Sequence, residues 1–205
     1  MSRRPDDAGR RGQLIRESAR LFREKGYEAT SVRDIAAATG LQSGSWVYHF
    51  KTKHDLAAAL IERYADQDEH HFNDAMAKAE QLARDPLQQL LIFLGLFIEM
   101  TEQLEEPFPG CLYASYCYQS GAISEQTMAQ VERMMHFWRR RLAAKIEGVT
   151  ALYPPRIPVE NHQVADHVLA SFEGAFILSK LMKEAKLASE QLVQCRNYIE
   201  LLFSP

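Results

Sequence analysis

The stretch Thr30–Asp55, TSVRDIAAATGLQSGSWVYHFKTKHD, decides the fold. Ser31 with Asp34 three residues on has the form of a capping box, which opens a helix that must close before Gly40. About two turns fit there. Gly40-Leu41-Gln42 is the only turn before a second short segment, Ser43–Phe50, and Thr52 with Asp55 repeats the capping signature to start a third helix. Two short helices joined by a glycine turn form a helix-turn-helix. Trp46 and Phe50, four apart, face inward in this reading and pack on Ile35, Leu21 and Leu56. Ser43, Gly44 and Ser45 leave the start of the second helix small enough to approach a groove closely, and Gln42 and Tyr48 can reach base edges or a thymine methyl.

Outward from this stretch, apolar residues recur at helical spacing almost throughout. Leu14, Ile15, Ser18, Ala19, Leu21 and Phe22 form one face, and no sustained period-2 run competes. The expectation is an all-α chain of about nine helices. The first spans Gly9 to Lys25 and stops at Gly26, which takes the positive φ of a helix end at little cost. A long helix runs from Thr52 to about Arg84, bounded by Asp85-Pro86, and the later punctuation predicts helices over roughly 87–105, 110–120, 124–149, 159–186 and 189–203.

Charge divides the chain. Residues 1–53 carry 11 Lys and Arg against 6 Asp and Glu, and residues 54–205 carry 13 against 21. A basic front module and an acidic body suggest an anionic partner for the first quarter, nucleic acid first and membrane headgroups second. The expected division is therefore a DNA-binding domain at 1–53 and a body at 54–205. The longest apolar run, Leu90–Ile98, falls short of a membrane span, and Met1–Asp7 has no apolar leader. Three cysteines, Cys111, Cys117 and Cys195, without a CxxC pair fit a reducing compartment, so the expected location is the cytoplasm.

Phe22, Gly26, Tyr27, Thr30, Asp34-Ile35-Ala36, Gly40-Leu41, Gly44-Ser45, Tyr48-His49-Phe50 and Lys53-His54-Asp55-Leu56 stand in an order and spacing that resembles the TetR family of tetracycline-repressor-like regulators. The resemblance covers about 50 residues from Leu14 to Tyr64, and the rest matches in helix layout. It implies base or groove contact from Gln42, Ser43, Gly44, Ser45 and Tyr48, and phosphate contact from Ser31, Arg33, His49 and Lys53. It further implies a double-stranded operator, a small-molecule effector that releases it, and a homodimer built from the last two helices; periodicity alone equally allows an intramolecular bundle. The family usually carries tyrosine where this chain has Val47.

The acidic body holds a dense aromatic set, and pockets between bundle helices are apolar with a few placed hydroxyls. Phe97, Tyr113, Cys117, Trp138 and Phe172 are the expected effector-binding residues, for a mostly apolar or aromatic ligand. Cys111, following Pro109-Gly110 at a helix start, is a candidate redox or electrophile sensor, since a helix N-terminus favours thiolate. The competing readings are a helical small-molecule carrier and a cysteine-dependent enzyme. A carrier has no need of the basic module, and no phosphate loop, G-x-S-x-G elbow or HExxH is present, so no catalysis and no cofactor are expected. His70-His71 and His162 with Asp166 supply too few ligands for a metal site.

Overall fold

A computed structural model describes residues 9–41 and 46–204. Among them the regular elements are all helical: α1 (Arg10–Lys25), α2 (Val32–Thr39), α3 (Lys53–Leu82), α4 (Pro86–Glu102), α5 (Leu112–Cys117), α6 (Glu125–Thr150), α7 (Asn161–Met182) and α8 (Lys186–Phe203). Single 3-10 turns occur at Trp46–Tyr48 and Ser120–Ala122.

Local chemistry sets most of these boundaries. Gly26 adopts φ +88° and returns its N–H to the Phe22 carbonyl, ending α1. Ser31 and Asp34 cap each other reciprocally at the start of α2, and Gly40 closes it in the left-handed region. Thr52 and Asp55 repeat the exchange at the start of α3. Asp85 accepts from the Gln88 N–H while Pro86, which has no N–H to leave unpaired, takes the first turn of α4.

Three boundaries differ from expectation. Of the helix predicted over 43–50, the described part is one 3-10 turn, Trp46–Tyr48, because Thr52 already caps the next helix four residues later. The helix predicted over 110–120 shrinks to α5: Gly110 sits at φ +106°, incompatible with a helix, and the chain leaves the helix at Tyr118. Finally, α7 stops at Met182, and α8 starts at Lys186 instead of 189. There Lys183 turns left-handed, φ 61°, and both its N–H and that of Glu184 converge on the Ser179 carbonyl. The Ser179 hydroxyl donates back to the Glu184 carbonyl, so the stop is built by a serine four residues upstream with no glycine to mark it.

Packing groups the chain into two compact units, one taking residues up to Gln67 together with Cys111–Arg133, the other Asp68–Gly110 with the chain from Met134 onward. In the first, α1 packs on α2 and α5, and Leu14, Ile15, Phe22, Ile35, Trp46, Phe50, Leu56 and Leu60 are buried. In the second, α8 packs on α4 and α7 around Leu90, Leu94, Leu142, Ile146, Val168, Ile199 and Leu202. Val164, Val168, Leu192, Ile199 and Leu202 thus face into their own unit. Ile177, Leu178, Leu181, Met182 and Leu201 on the same two helices are exposed, Leu181 to 74%. Among the described residues no helix is long and apolar enough to cross a membrane.

Candidate functional site

The front unit presents its tip through a buried anchor. Trp46 and Phe50 lie with ring centroids 5.7 Å apart and are both buried, which contributes roughly 1.5–3 kcal/mol each by removal from water. The N–H groups of His49 and Phe50 both return to the Trp46 carbonyl, so the turn is fixed by the residue that is anchored. Between the anchors, Val47 and Tyr48 point out, and Tyr48 is 91% exposed. An aromatic ring held on a rigid turn in full solvent is costly to hydrate and available to a partner. His49 beside it is half-buried. Gln42, Ser43, Gly44 and Ser45 lie outside the described residues.

On α2, Arg33 is exposed in the first turn. Ser31 is exposed, but its hydroxyl donates to the Asp34 carboxylate at 2.7 Å and accepts the Asp34 N–H at 3.1 Å, which leaves no hydroxyl proton for a phosphate. The Ser31 hydroxyl and the Ser31 N–H, both donating to it, hold the Asp34 carboxyl below its ordinary range. Lys53 is also engaged. Its ammonium donates to the carbonyls of Tyr27 at 2.8 Å and Thr30 at 3.1 Å, and lies 4.1 Å from the centre of the Tyr27 ring. Burial pushes its pKa down.

Several contacts around this corner escape a reading of the sequence. The Tyr27 hydroxyl meets His54 Nδ1 at 3.0 Å, and Arg23 donates to the Tyr64 hydroxyl at 3.4 Å. From the segment after α5, the Gln119 carbonyl oxygen accepts the Glu28 N–H at 2.8 Å. Tyr116 is fully buried against Phe22 and Tyr27, with a hydroxyl that meets no hydrogen-bond partner and a pKa pushed far up by burial.

The five expected effector residues are divided between the units. Phe97, Trp138 and Phe172 pack on the core of the second, whereas Tyr113, buried, and Cys117, exposed, belong to the first. In the second unit Phe72, Phe93, Phe97, Phe172, Phe176 and Phe108 form a continuous run of ring contacts, from 5.0 Å between Phe72 and Phe93 to 4.5 Å between Phe108 and Phe176. Phe97 and Phe172 meet edge to face at 5.4 Å and are only partly buried. Cys111 is the N-cap residue of α5, six residues long, and its side chain makes no capping bond. None of the three cysteines is in a disulfide, and no group of three or more His, Cys, Asp or Glu among the described residues could hold a metal.

Residues 14–60, which carry this anchored turn, match the family model described as bacterial regulatory proteins, tetR family. Over this segment the chain is similar to the TetR family. The proteins it is similar to are helix-turn-helix, DNA-binding transcriptional regulators. The transcriptional repressor DhaR of Mycobacterium sp. (strain GP1) is 21% identical over 171 residues, 83% of this chain and 82% of its own. The transcriptional repressor KstR2 of Mycobacterium tuberculosis is 34% identical over 96 residues, 47% of this chain and 44% of its own, so that match spans less than half of the relative. Among solved structures, a TetR-family transcriptional regulator from Agrobacterium tumefaciens superposes with a TM-score of 0.78 over 95% of this chain and 98% of that one, at 20% identity. The TetR protein of Rhodobacter sphaeroides gives 0.75 over 93% and 97%, at 24% identity. At these identities the structural likeness speaks for the fold.

Proposed function

We propose that this chain is a TetR-family repressor that holds operator DNA as a homodimer and is released from it by a small, mostly apolar or aromatic effector. The observation that carries the DNA-binding part is Tyr48, 91% exposed on a turn pinned by two buried aromatics. Residues 1–53 bind DNA and residues 54–205 bind the effector and the second protomer. Tyr48 and the segment Gln42, Ser43, Gly44 and Ser45 enter the major groove, while Arg33 and His49 meet phosphates on either side. Ser31 acts through its cap: it fixes the start of α2 and thereby the aim of Arg33.

For the effector, the partly buried Phe97 and Phe172 in the middle of the aromatic run, with Trp138 against the same core, offer edges and faces to an apolar ring. For the homodimer, the exposed Ile177, Leu178, Leu181 and Met182 of α7 and Leu201 of α8 support the last two helices as the interface. Catalysis has no part in this reading, because a repressor works by differential binding alone.

Substitution separates the two kinds of DNA contact. Arg33→Ala is expected to weaken binding to every duplex and to make the slope of log K against log salt shallower by about 0.9, as one phosphate contact is lost. Tyr48→Ala is expected to leave the slope unchanged and to erode the preference for the selected site over a scrambled one. An Arg33→Ala slope equal to wild type, or undiminished discrimination in Tyr48→Ala, removes the proposed roles.

A further inference from the structure

The corner between α1 and α2, Gly26 to Ser31, is held by a set of hydrogen bonds within the protein. The Thr30 hydroxyl donates to the Gly26 carbonyl at 2.8 Å, and the Thr30 N–H to the Tyr27 carbonyl. Two side chains from elsewhere in the same unit then hold it. Lys53, from the first turn of α3, places its ammonium on the carbonyls of Tyr27 and Thr30 and against the Tyr27 ring. Gln119 accepts the Glu28 N–H at 2.8 Å, and a Cβ on Gly26 would stand 2.4 Å from its amide nitrogen. Gly26 therefore serves twice, through its φ of +88° and through the space it leaves for Gln119.

What the corner carries makes this grip consequential. Thr30 precedes the N-cap Ser31, so the direction in which α2 leaves the corner sets where Arg33 points. An ammonium has three donors, and Lys53 has spent two on carbonyls while the same ammonium lies over the Tyr27 ring. A phosphate oxygen would have to compete with charge-assisted bonds already made inside the protein. Gln119 is 91 positions from Glu28 in sequence and bears no charge, so it has no counterion to exchange with DNA.

We propose that Lys53 and Gln119 are positioning residues for operator binding, holding the Gly26–Ser31 corner so that α2 presents Arg33 to the duplex, and that neither contacts DNA. The proposal rests on the repressor reading above. It departs from the expectation that Lys53 is a phosphate ligand, and it ties DNA affinity to the segment that follows α5.

Salt dependence distinguishes positioning from contact. Full-length wild type, Lys53→Met, Gln119→Ala and the double variant are titrated with the selected duplex from about 50 to 200 mM salt. The titrations are run where circular dichroism shows each variant folded and stoichiometric titration shows each protomer active. Lys53→Met is expected to lose about tenfold and Gln119→Ala about fivefold in affinity, the range of a charge-assisted and a neutral hydrogen bond, with slopes equal to wild type. The double variant is expected to lose less than the product of the two, because both act on one corner. A Lys53→Met slope shallower by about 0.9, an unchanged affinity in either single variant, or strictly multiplicative losses would overturn the proposal. Failure of wild type to prefer the selected duplex would instead remove the repressor reading on which it depends.

Discussion

Tyr116 is a residue whose chemistry and surroundings disagree. Its ring fills the space between Phe22 and Tyr27, with centroids 6.2 and 6.1 Å away, while its hydroxyl is desolvated without a partner. A buried hydroxyl left unpaired costs roughly 1–3 kcal/mol, so Tyr116→Phe, which keeps the ring and deletes the oxygen, is expected to raise the unfolding free energy by about 1 kcal/mol. Urea unfolding monitored by circular dichroism measures this directly. A variant less stable than wild type would mean that the hydroxyl does bind something. Residues of this kind mark the limit of sequence reading. Ser31, Arg33, Tyr48 and Lys53 could be singled out because they stand at fixed offsets around a glycine turn. The engagement of Lys53 with two backbone carbonyls could not, because carbonyls belong to every residue and leave no trace in the side-chain pattern. Gln119 was invisible for a related reason: its partner lies 91 positions away.

Among the elements, the capped helix starts were readable and the end of α7 was not. Ser31, Thr52 and Asp85 announce α2, α3 and α4 because the cap is a side-chain interaction confined to four neighbouring residues. The end of α7 depends on a left-handed lysine and on a serine that bonds across the turn, a combination with no compositional signal. The apolar residues of α7 and α8 fall on two faces. Phe176, stacked on Phe108 at 4.5 Å, and Leu202, inside the core, belong to the inward face. Leu181 and Leu201, exposed to 74% and 63%, belong to the outward one. A charge at Leu202 would therefore unfold the protomer's own core and say nothing about assembly. The informative changes are Leu181→Glu and Leu201→Glu, which place a charge on the surface of a monomer but inside the proposed interface. Sedimentation is expected to show folded monomers for the pair of changes combined, with helical content unchanged. A dimer that persists would assign the interface to another surface.

At the scale of the whole molecule, function requires that one chain bind two unlike partners and make each sensitive to the other. A ligand that releases DNA about 100-fold must favour the released conformation by about 2.7 kcal/mol over the bound one; tight binding alone changes nothing. The all-α architecture and the basic front module were legible because periodicity and charge are summed over many residues. The grouping of Cys111–Arg133 with the front unit was not, since α3 and α6 each contribute to both units and no linker composition marks the division. Sequence-specific operator binding is the claim on which effector release, the homodimer and the corner grip all depend. It is tested most directly by selecting duplexes from a random library with the purified chain, then titrating the selected site and a scrambled site at about 150 mM salt. The expected result is two protomers on a site with half-sites about 34–36 Å apart or a multiple of that, bound at least 10³-fold more tightly than the scrambled duplex. Equal affinity for the two duplexes would contradict it.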